Sequence, residues 1–109
     1  MQQLTKTFEG HEMRAAVVDG DEAIAAADMA SALEYTRTSD FLALVRDKYV
    51  REAELPTPAG LRRMTVVTMP GMWQALGRTR KPKAEPFQDW LNEECLPEIR
   101  KTGSYNAAD

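Results

Sequence analysis

Residues 13–26 read MRAAVVDGDEAIAA, and this stretch predicts a β-hairpin. Side chains from Met13 to Val18 alternate as they do on a strand, which puts one set inward and the other outward. The pair Asp19-Gly20 follows directly, and an Asp-Gly pair between apolar runs favours a two-residue turn because glycine adopts a positive φ at little cost. The residues from Ala23 to Ala26 are then expected to form the returning strand.

The elements on either side of this hairpin are predicted from turn residues, helix caps and apolar spacing. Leu4 to Phe8 is expected to form a strand, and Asp28 is expected to cap a helix that runs through Leu33. The remaining prediction is a helix over Asp40 to Val50, an irregular connection at Pro56 to Gly60, a strand over Arg63 to Thr68, and helices beginning at Pro70 and Pro86. An N-terminal antiparallel sheet followed by helices indicates an α+β fold in a single domain over residues 1–109.

Length and composition exclude several classes of protein. The 109 residues suffice for one hydrophobic core, and no run of about 18 apolar residues exists that would span a membrane. The single cysteine, Cys95, excludes an internal disulfide and suits a reducing cytoplasm. The single histidine, His11, excludes a metal site that needs two histidines, so we expect neither a metal nor a cofactor.

The residues that could support catalysis are few and poorly placed for it. Cys95 falls on the same predicted helical face as apolar side chains, which indicates a buried, inert thiol. Glu93 and Glu94 are adjacent, so on a helix they point about 100° apart, and a paired acid and base is not expected. Gly71 and Gly77 lack the companions of a phosphate-binding loop. We therefore expect no catalytic residues and no enzymatic activity.

Charge is distributed unevenly along the chain. Residues 1–54 hold six Lys/Arg and eleven Asp/Glu, whereas residues 55–109 hold eight and six. The stretch from Leu55 to Ala84 contains six cations and no acid. Such a stretch is either a solvated basic loop or a binding surface for an anion. Trp73 and Trp90 could stack on exposed bases, although their spacing with Leu76 and Phe87 favours packing in the core.

Three segments resemble the N-terminal domain of the BRO family, which occurs in phage antirepressors and baculovirus BRO proteins. They are FEGHEMR (8–14) with AADMA (26–30), TMPGMWQAL (68–76), and FQDWLNEECLPEIRKTGSY (87–105). The last segment resembles the closing pattern of the family, in which a Phe and Trp helix is followed by Leu-Pro, Ile-Arg-Lys and a final Gly and Tyr. The resemblance covers roughly residues 8–105.

The chain departs from the family pattern at a few positions. Ala25 to Ala27 replace bulkier residues, Glu34 stands where glycine is common, and Pro70 replaces a common acidic residue. In relatives this domain is usually joined to a separate C-terminal domain. The sequence is accordingly expected to be either a stand-alone version or a shortened one.

The resemblance implies an α+β module that binds DNA or acts as an antirepressor in the cytoplasm of a bacterial host, encoded by a phage or prophage. We predict contacts to duplex DNA, mainly through phosphates, from eight cations: Arg62, Arg63, Arg78, Arg80, Lys81, Lys83, Arg100 and Lys101. The alternative is a protein-interaction module that binds a phage repressor, with no DNA contact of its own, through the acidic residues Asp19, Asp21 and Glu22. A helix-turn-helix built from the two helices between Asp28 and Val50 is not favoured, because the second helix carries both charge signs. An edge strand near Leu4 is a candidate for pairing with a second copy in a homodimer.

Overall fold

The computed structural model describes residues 3–97. Five strands span Gln3–Phe8 (β1), His11–Val18 (β2), Asp21–Ala25 (β3), Val50–Thr57 (β4) and Gly60–Thr68 (β5). The helices are Ala26–Ala32 (α1), Thr38–Leu42 (α2), Met69–Arg78 (α3) and Ala84–Trp90 (α4). A 3-10 turn covers Asp47–Tyr49, and a π-helical turn over Leu91–Cys95 continues α4.

The strands form one antiparallel sheet in the order β1-β2-β3-β5-β4, with β1 and β4 at its edges. Antiparallel strands joined by short turns, with the helices gathered on the sheet, confirm the α+β prediction. In the described part of the chain, no helix is long and apolar enough to cross a membrane.

The predicted hairpin between β2 and β3 is confirmed to within one residue at its end. Val18 pairs with Asp21, and the two turn residues between them have positive φ, 53° at Asp19 and 85° at Gly20. A two-residue turn with positive φ at both central residues matches the twist of the two strands. Asp-Gly is a preferred pair for such a turn, which explains its presence here.

Both faces of β2 are buried, so the expectation of an outward-facing set is wrong. Met13, Ala15 and Val17 join the main core beneath the helices, whereas Ala16 and Val18 lie in a second cluster on the opposite face. That second cluster also contains Ala53 and Leu55 of β4 and Val66 of β5. The sheet is curled enough for β4 to contact β2, although β3 and β5 lie between them.

The region between α1 and β5 differs most from the prediction. The expected helix from Asp40 to Val50 is replaced by the short α2 and the 3-10 turn. The expected irregular connection at Pro56 to Gly60 is reduced to a turn at residues 58–59, because β4 extends to Thr57 and β5 begins at Gly60. Ala53 and Leu55 are buried while Glu52 and Glu54 are exposed, which is the alternation of a strand with one buried face. β4 is an edge strand, and edge strands are where sheets accommodate a proline such as Pro56.

Helix α1 begins at Ala26 and not at Asp28. No side chain caps this helix, and the carboxylate of Asp28 instead accepts hydrogen bonds from the backbone and guanidinium of Arg14. The predicted capping role of Asp28 is therefore wrong, and the residue links the first helix to the sheet.

Helix α3 lies close against β5 and the 3-10 turn, which Gly71 permits. A Cβ at Gly71 would come within 2.7 Å of Val67 Cγ1 and 2.8 Å of Tyr49 Cβ. Real Cβ contacts are not this short, so glycine is required here by the approach of the helix. Pro70 lies in the first turn as predicted, whereas the helix continues past Gly77 to Arg78.

Candidate nucleic-acid interface

The last part of the acid-free stretch joins α3 to α4, and we call it the basic loop (residues 78–83). Helix α3 ends at Arg78 and α4 begins at Ala84. Four cations therefore lie at the end of α3 or in the loop that follows it: Arg78, Arg80, Lys81 and Lys83. The sequence contains no Asp or Glu between Met69 and Ala84. These four predicted site residues therefore lie in one short segment of the structure, as they do in the sequence.

Thr79 fastens the basic loop to the segment after α1. Its hydroxyl lies 2.6 Å from the Tyr35 hydroxyl and accepts a hydrogen bond of 3.2 Å from the backbone N–H of Lys81. The backbone N–H of Thr79 donates to the Ala75 carbonyl and continues the pattern of α3. The start of the loop is thus held in place by hydrogen bonds at both the backbone and the side chain.

Each cation of the loop has a different environment. An Nη of Arg78 donates to the Leu44 carbonyl at 3.2 Å, and the Lys81 ammonium lies 5.0 Å from the centre of the Tyr35 ring. Lys83 forms an ion pair with Glu9 in the turn between β1 and β2, and this hydrogen bond raises the pKa of Lys83. Arg80 is exposed and forms no ion pair with a residue in the range 3–97.

The contacts leave three of the four cations of the loop without an ion pair to a described carboxylate. Within the described chain only one of the four cations, Lys83, is paired with a carboxylate. Carbonyl and aromatic partners orient a cation without neutralising its charge. Arg78, Arg80 and Lys81 accordingly keep a charge that a phosphate group can meet.

The other predicted site residues lie elsewhere. Arg62 and Arg63 belong to β5 near its turn to β4, where they pair with Leu55 and Glu54. As successive strand residues they point to opposite faces, and Arg63 lies 3.7 Å from Glu52. The structure does not place these two arginines in the basic loop. Arg100 and Lys101 lie outside the described residues.

The single cysteine lies in the main core, whereas the single histidine is half-buried at the edge of α1. Cys95 is fully buried in the main core, and burial raises the pKa of its thiol to about 12. His11 Nδ1 lies 3.3 Å from the Ser31 hydroxyl at the edge of α1. Among residues 3–97, no group of three or more His, Cys, Asp or Glu side chains is arranged to hold a metal ion.

The two tryptophans behave differently, and only one follows the prediction of core packing. Trp90 is 5% exposed, contacts the rings of Phe8 and Phe87, and donates its indole N–H to the Thr7 carbonyl at 3.1 Å. Trp73 is 37% exposed. The buried face of α3 consists of Gly71, Met72, Ala75 and Leu76.

Trp73 directly follows Met72 of the buried face, and adjacent helix positions point about 100° apart, so the helical spacing itself indicates that Trp73 lies off that face.

Comparison with known proteins identifies the class of this chain. The BRO family, N-terminal domain, matches residues 12–97, so the chain belongs to this family. At the level of the family, this membership supports a phage-type module that acts as an antirepressor or binds DNA.

An uncharacterised protein of Haemophilus influenzae is 46% identical to this chain over 50 residues. The alignment covers 46% of this chain and 25% of that protein. No solved structure matches the chain.

Proposed function

We propose that this chain is an antirepressor-type module that binds duplex DNA mainly through its phosphates and thereby influences transcription. The observation that supports it most is the acid-free basic loop, which is fastened at Thr79 and keeps three cations free of carboxylate partners. Arg78, Arg80, Lys81 and Lys83 are the proposed principal contacts. Arg62, Arg63, Arg100 and Lys101 stay predicted contacts.

The proposed activity is binding, without catalysis, cofactor or metal, in the cytoplasm of a bacterial host. A loop of four cations on a protein of formal net charge −3 supplies a local field that concentrates a polyanion at one place on the surface. Such contacts position a protein on DNA without reading the sequence, so weak sequence preference is expected.

The proposal is tested by measuring affinity for a labelled duplex of arbitrary sequence between about 50 and 200 mM salt. If four to six phosphates are neutralised, the logarithm of affinity falls against the logarithm of salt concentration with a slope of about −3.6 to −5.4. Replacing Arg78, Arg80, Lys81 and Lys83 with glutamine flattens this slope by up to about 3.6.

Arg37→Gln is the control, because Arg37 is an exposed cation outside the loop that pairs with Asp40. Its slope stays that of the wild type. A wild-type protein without affinity for duplex, or with affinity that salt does not change, contradicts the proposal. The double variant with Arg62→Gln and Arg63→Gln separates the contribution of the β4–β5 hairpin from that of the loop.

A second candidate function, capture of a phage repressor, is supported by the acidic turn between β2 and β3. Asp19 and Asp21 are exposed there, and Asp21 lies 3.5 Å from Arg51. Glu22 is 4% exposed, so it does not belong to this surface. Reversing the charge of Asp19 and Asp21 alone abolishes co-purification with a repressor if this surface makes the contact.

A further inference from the structure

The first half of strand β5 lies beside only one other strand. β5 pairs with β4 over residues 60–67, but it pairs with β3 only over residues 66–68. β3 ends at Ala25, and the chain then turns into α1. Residues 61–65 therefore have a free side where β3 has ended, which we call the open edge of β5.

The register of β5 shows which backbone groups lie on this free side. Alternate residues of a strand point their N–H and C=O groups to opposite neighbours. Pro56 of β4 pairs with Leu61 and has no N–H, so that pair is not a hydrogen-bonded one, and the backbone groups of Leu61 point away from β4. Arg63 and Thr65 follow Leu61 at every second position. The N–H and C=O groups of these three residues therefore face the open edge.

Pairing elsewhere in the sheet agrees with this assignment. Val18 and Asp21 close the two-residue turn between β2 and β3, so Asp21 bonds to β2, and Ile24, three residues later, points to β5. Ile24 pairs with Val67, which continues the series 61, 63 and 65. Val67 thus meets a strand on the side that the earlier members of the series leave free.

The outer edges of the sheet are partly closed, in contrast to the open edge of β5. The proline at position 56 lies on the outer edge of β4, and the Thr7 carbonyl on β1 accepts a hydrogen bond of 3.1 Å from the Trp90 indole. Prolines and covering groups prevent an edge strand from pairing with another chain. On the open edge, Leu61 is 65% exposed and the Arg63 side chain 70% exposed. No hydrogen bond from within residues 3–97 reaches their outward backbone groups.

A strand of a second polypeptide is the ligand that fits these groups. The outward N–H and C=O groups recur at every second residue, about 6.8 Å apart, which is the repeat of an extended chain. Strand addition to an open edge takes its affinity from these main-chain hydrogen bonds and its specificity from the side chains beside them. The added strand continues the line of β3 and runs antiparallel to β5.

Two arginines on the open edge make a second copy of this chain an unfavourable partner. Arg62 and Arg63 are exposed, and residues 55–63 contain no acid. Twofold pairing of β5 with itself, centred at either arginine, sets that arginine opposite its own copy, and like charges directly opposite are destabilising. Centring the pair at Met64 places the second copy where β3 lies. An acidic side chain opposite Arg63 is favourable instead.

We propose that the open edge of β5 binds an extended acidic segment of another protein by strand addition, with a carboxylate opposite Arg63. Arg63 then lies between this carboxylate and Glu54, its partner on β4. Two main-chain hydrogen bonds form at each of Leu61, Arg63 and Thr65. Thr65 is half-buried where α1 contacts β5, so it marks the end of the site. This inference goes beyond the proposed function and does not depend on DNA binding.

The probe is a short, labelled, end-blocked peptide that alternates valine and glutamate. One control peptide has lysine in place of glutamate, and another is N-methylated at each glutamate, which keeps the charge but removes the hydrogen bonds to β5. Fluorescence anisotropy should show binding of the unmodified glutamate peptide alone. Arg63→Glu weakens its binding about 2- to 30-fold, and Arg63→Gln weakens it less. Arg37→Glu, at an exposed arginine outside the sheet, leaves it unchanged.

Hydrogen exchange locates the added strand. In the free protein the amides of Leu61 and Arg63 exchange quickly, whereas those of Arg62 and Met64 are protected by β4. Saturating glutamate peptide slows exchange at Leu61 and Arg63. The thermal unfolding of each variant verifies that it is folded.

The remaining outcomes overturn the proposal. Equal binding of the N-methylated peptide means attraction between charges without strand addition, and no binding at millimolar peptide means that the edge does not accept a strand. A free protein that sediments as a dimer with protected amides at Leu61 and Arg63 means that a second copy is the occupant. None of these results changes the dependence of duplex binding on salt, so the proposed function stands or falls separately.

Discussion

Arg14 and Asp28 join β2 to α1 through three hydrogen bonds. One carboxylate oxygen of Asp28 accepts from the backbone N–H and from Nε of Arg14, both at 2.9 Å, and the other accepts from Nη2 at 2.7 Å. Pairing between β2 and β3 ends at Ala15 and Ile24, so Arg14, which still pairs with Thr5 of β1, has no partner on β3. Asp28 takes the place of that strand, and its hydrogen bonds to the guanidinium, more than its charge, raise the pKa of Arg14.

Replacing Asp28 is expected to destabilise the fold. The two side chains are only 18% and 10% exposed, and Asp28→Ala leaves the guanidinium and one backbone N–H of Arg14 without their acceptor. The expected loss in the free energy of unfolding is about 2–4 kcal/mol, measured by urea denaturation. Asp40→Ala, which breaks the exposed pair with Arg37, costs about 0–1 kcal/mol. Equal losses in the two variants would contradict the structural role of Asp28.

The sequence predicts correctly those elements whose conformation depends only on neighbouring residues. The Asp19-Gly20 turn requires only positive φ at two residues, so its hairpin was predicted correctly. The role of Asp28 depends on Arg14, which lies 14 residues away, and a cap was the best local interpretation. Strand β4 was missed for a similar reason, because Pro56 indicates a loop unless β5 is known to lie beside it.

The same limit applies to the candidate site. Its cations were visible as composition between Arg78 and Lys83. Their partners lie far along the chain: Leu44 is 34 residues from Arg78, and Glu9 is 74 residues from Lys83. Which cations stay unpaired therefore follows from the tertiary structure alone.

Gly71→Ala is expected to destabilise the protein, and Gly77→Ala is its matched control on the same helix. A Cβ at Gly71 would overlap Val67, Tyr49 and Val45 at 2.7–3.0 Å, so the helix or the sheet must move. Overpacking of this kind costs about 1–3 kcal/mol. A Cβ at Gly77 meets nothing, and alanine there stabilises the helix by about 0.5–1 kcal/mol. Thermal denaturation should show a lower melting temperature for Gly71→Ala and a higher one for Gly77→Ala. A shift of the same sign in both variants would contradict the close approach at Gly71.

Glu34→Gly is expected to stabilise the protein. Glu34 lies just after the end of helix α1 and has a φ of 70°. The backbone N–H groups of Glu34 and Tyr35 donate to the carbonyls of Ser31 and Ala30, respectively. This helix ending uses a left-handed residue, for which glycine is preferred because a Cβ is unfavourable there by about 1 kcal/mol. The melting temperature should rise by about 4 °C.

Glu34→Ala distinguishes backbone strain from charge. It removes the carboxylate but keeps the Cβ, so it leaves the melting temperature unchanged or lowers it. A rise equal to that of Glu34→Gly would show that the charge, and not the left-handed backbone, is responsible.

Stability is expected to fall at alkaline pH because of Cys95. Burial, more than the opposing charges of Lys6 and Glu22, raises the pKa of its thiol from 9.0 to about 12. Between these values the unfolded chain has lost the thiol proton and the folded chain has kept it, so the free energy of unfolding decreases as pH rises. The slope contributed by the thiol is at most about 1.4 kcal/mol per pH unit.

Urea denaturation from pH 8 to 11 measures this decrease, and Cys95→Ala reduces its slope. Alkylation of the folded wild type at pH 9 is slow and becomes fast in urea. Rapid alkylation of the folded protein would contradict the burial of the thiol.

Glu9→Gln is expected to strengthen binding to DNA if the basic loop is the contact surface. Glu9 is the carboxylate that pairs with Lys83, and its removal ends the competition between Glu9 and a phosphate for that ammonium. Lys83 is protonated at neutral pH with or without Glu9, because a neighbouring carboxylate only raises its pKa. The slope of affinity against salt should become steeper by up to about 0.9, measured by fluorescence anisotropy on a duplex. Glu12→Gln removes an exposed acid of the same charge from β2, and it should leave the slope unchanged. Adding Lys83→Gln to Glu9→Gln should cancel the gain, whereas a gain that persists would mean that Glu9 acts by general repulsion of DNA and not through Lys83.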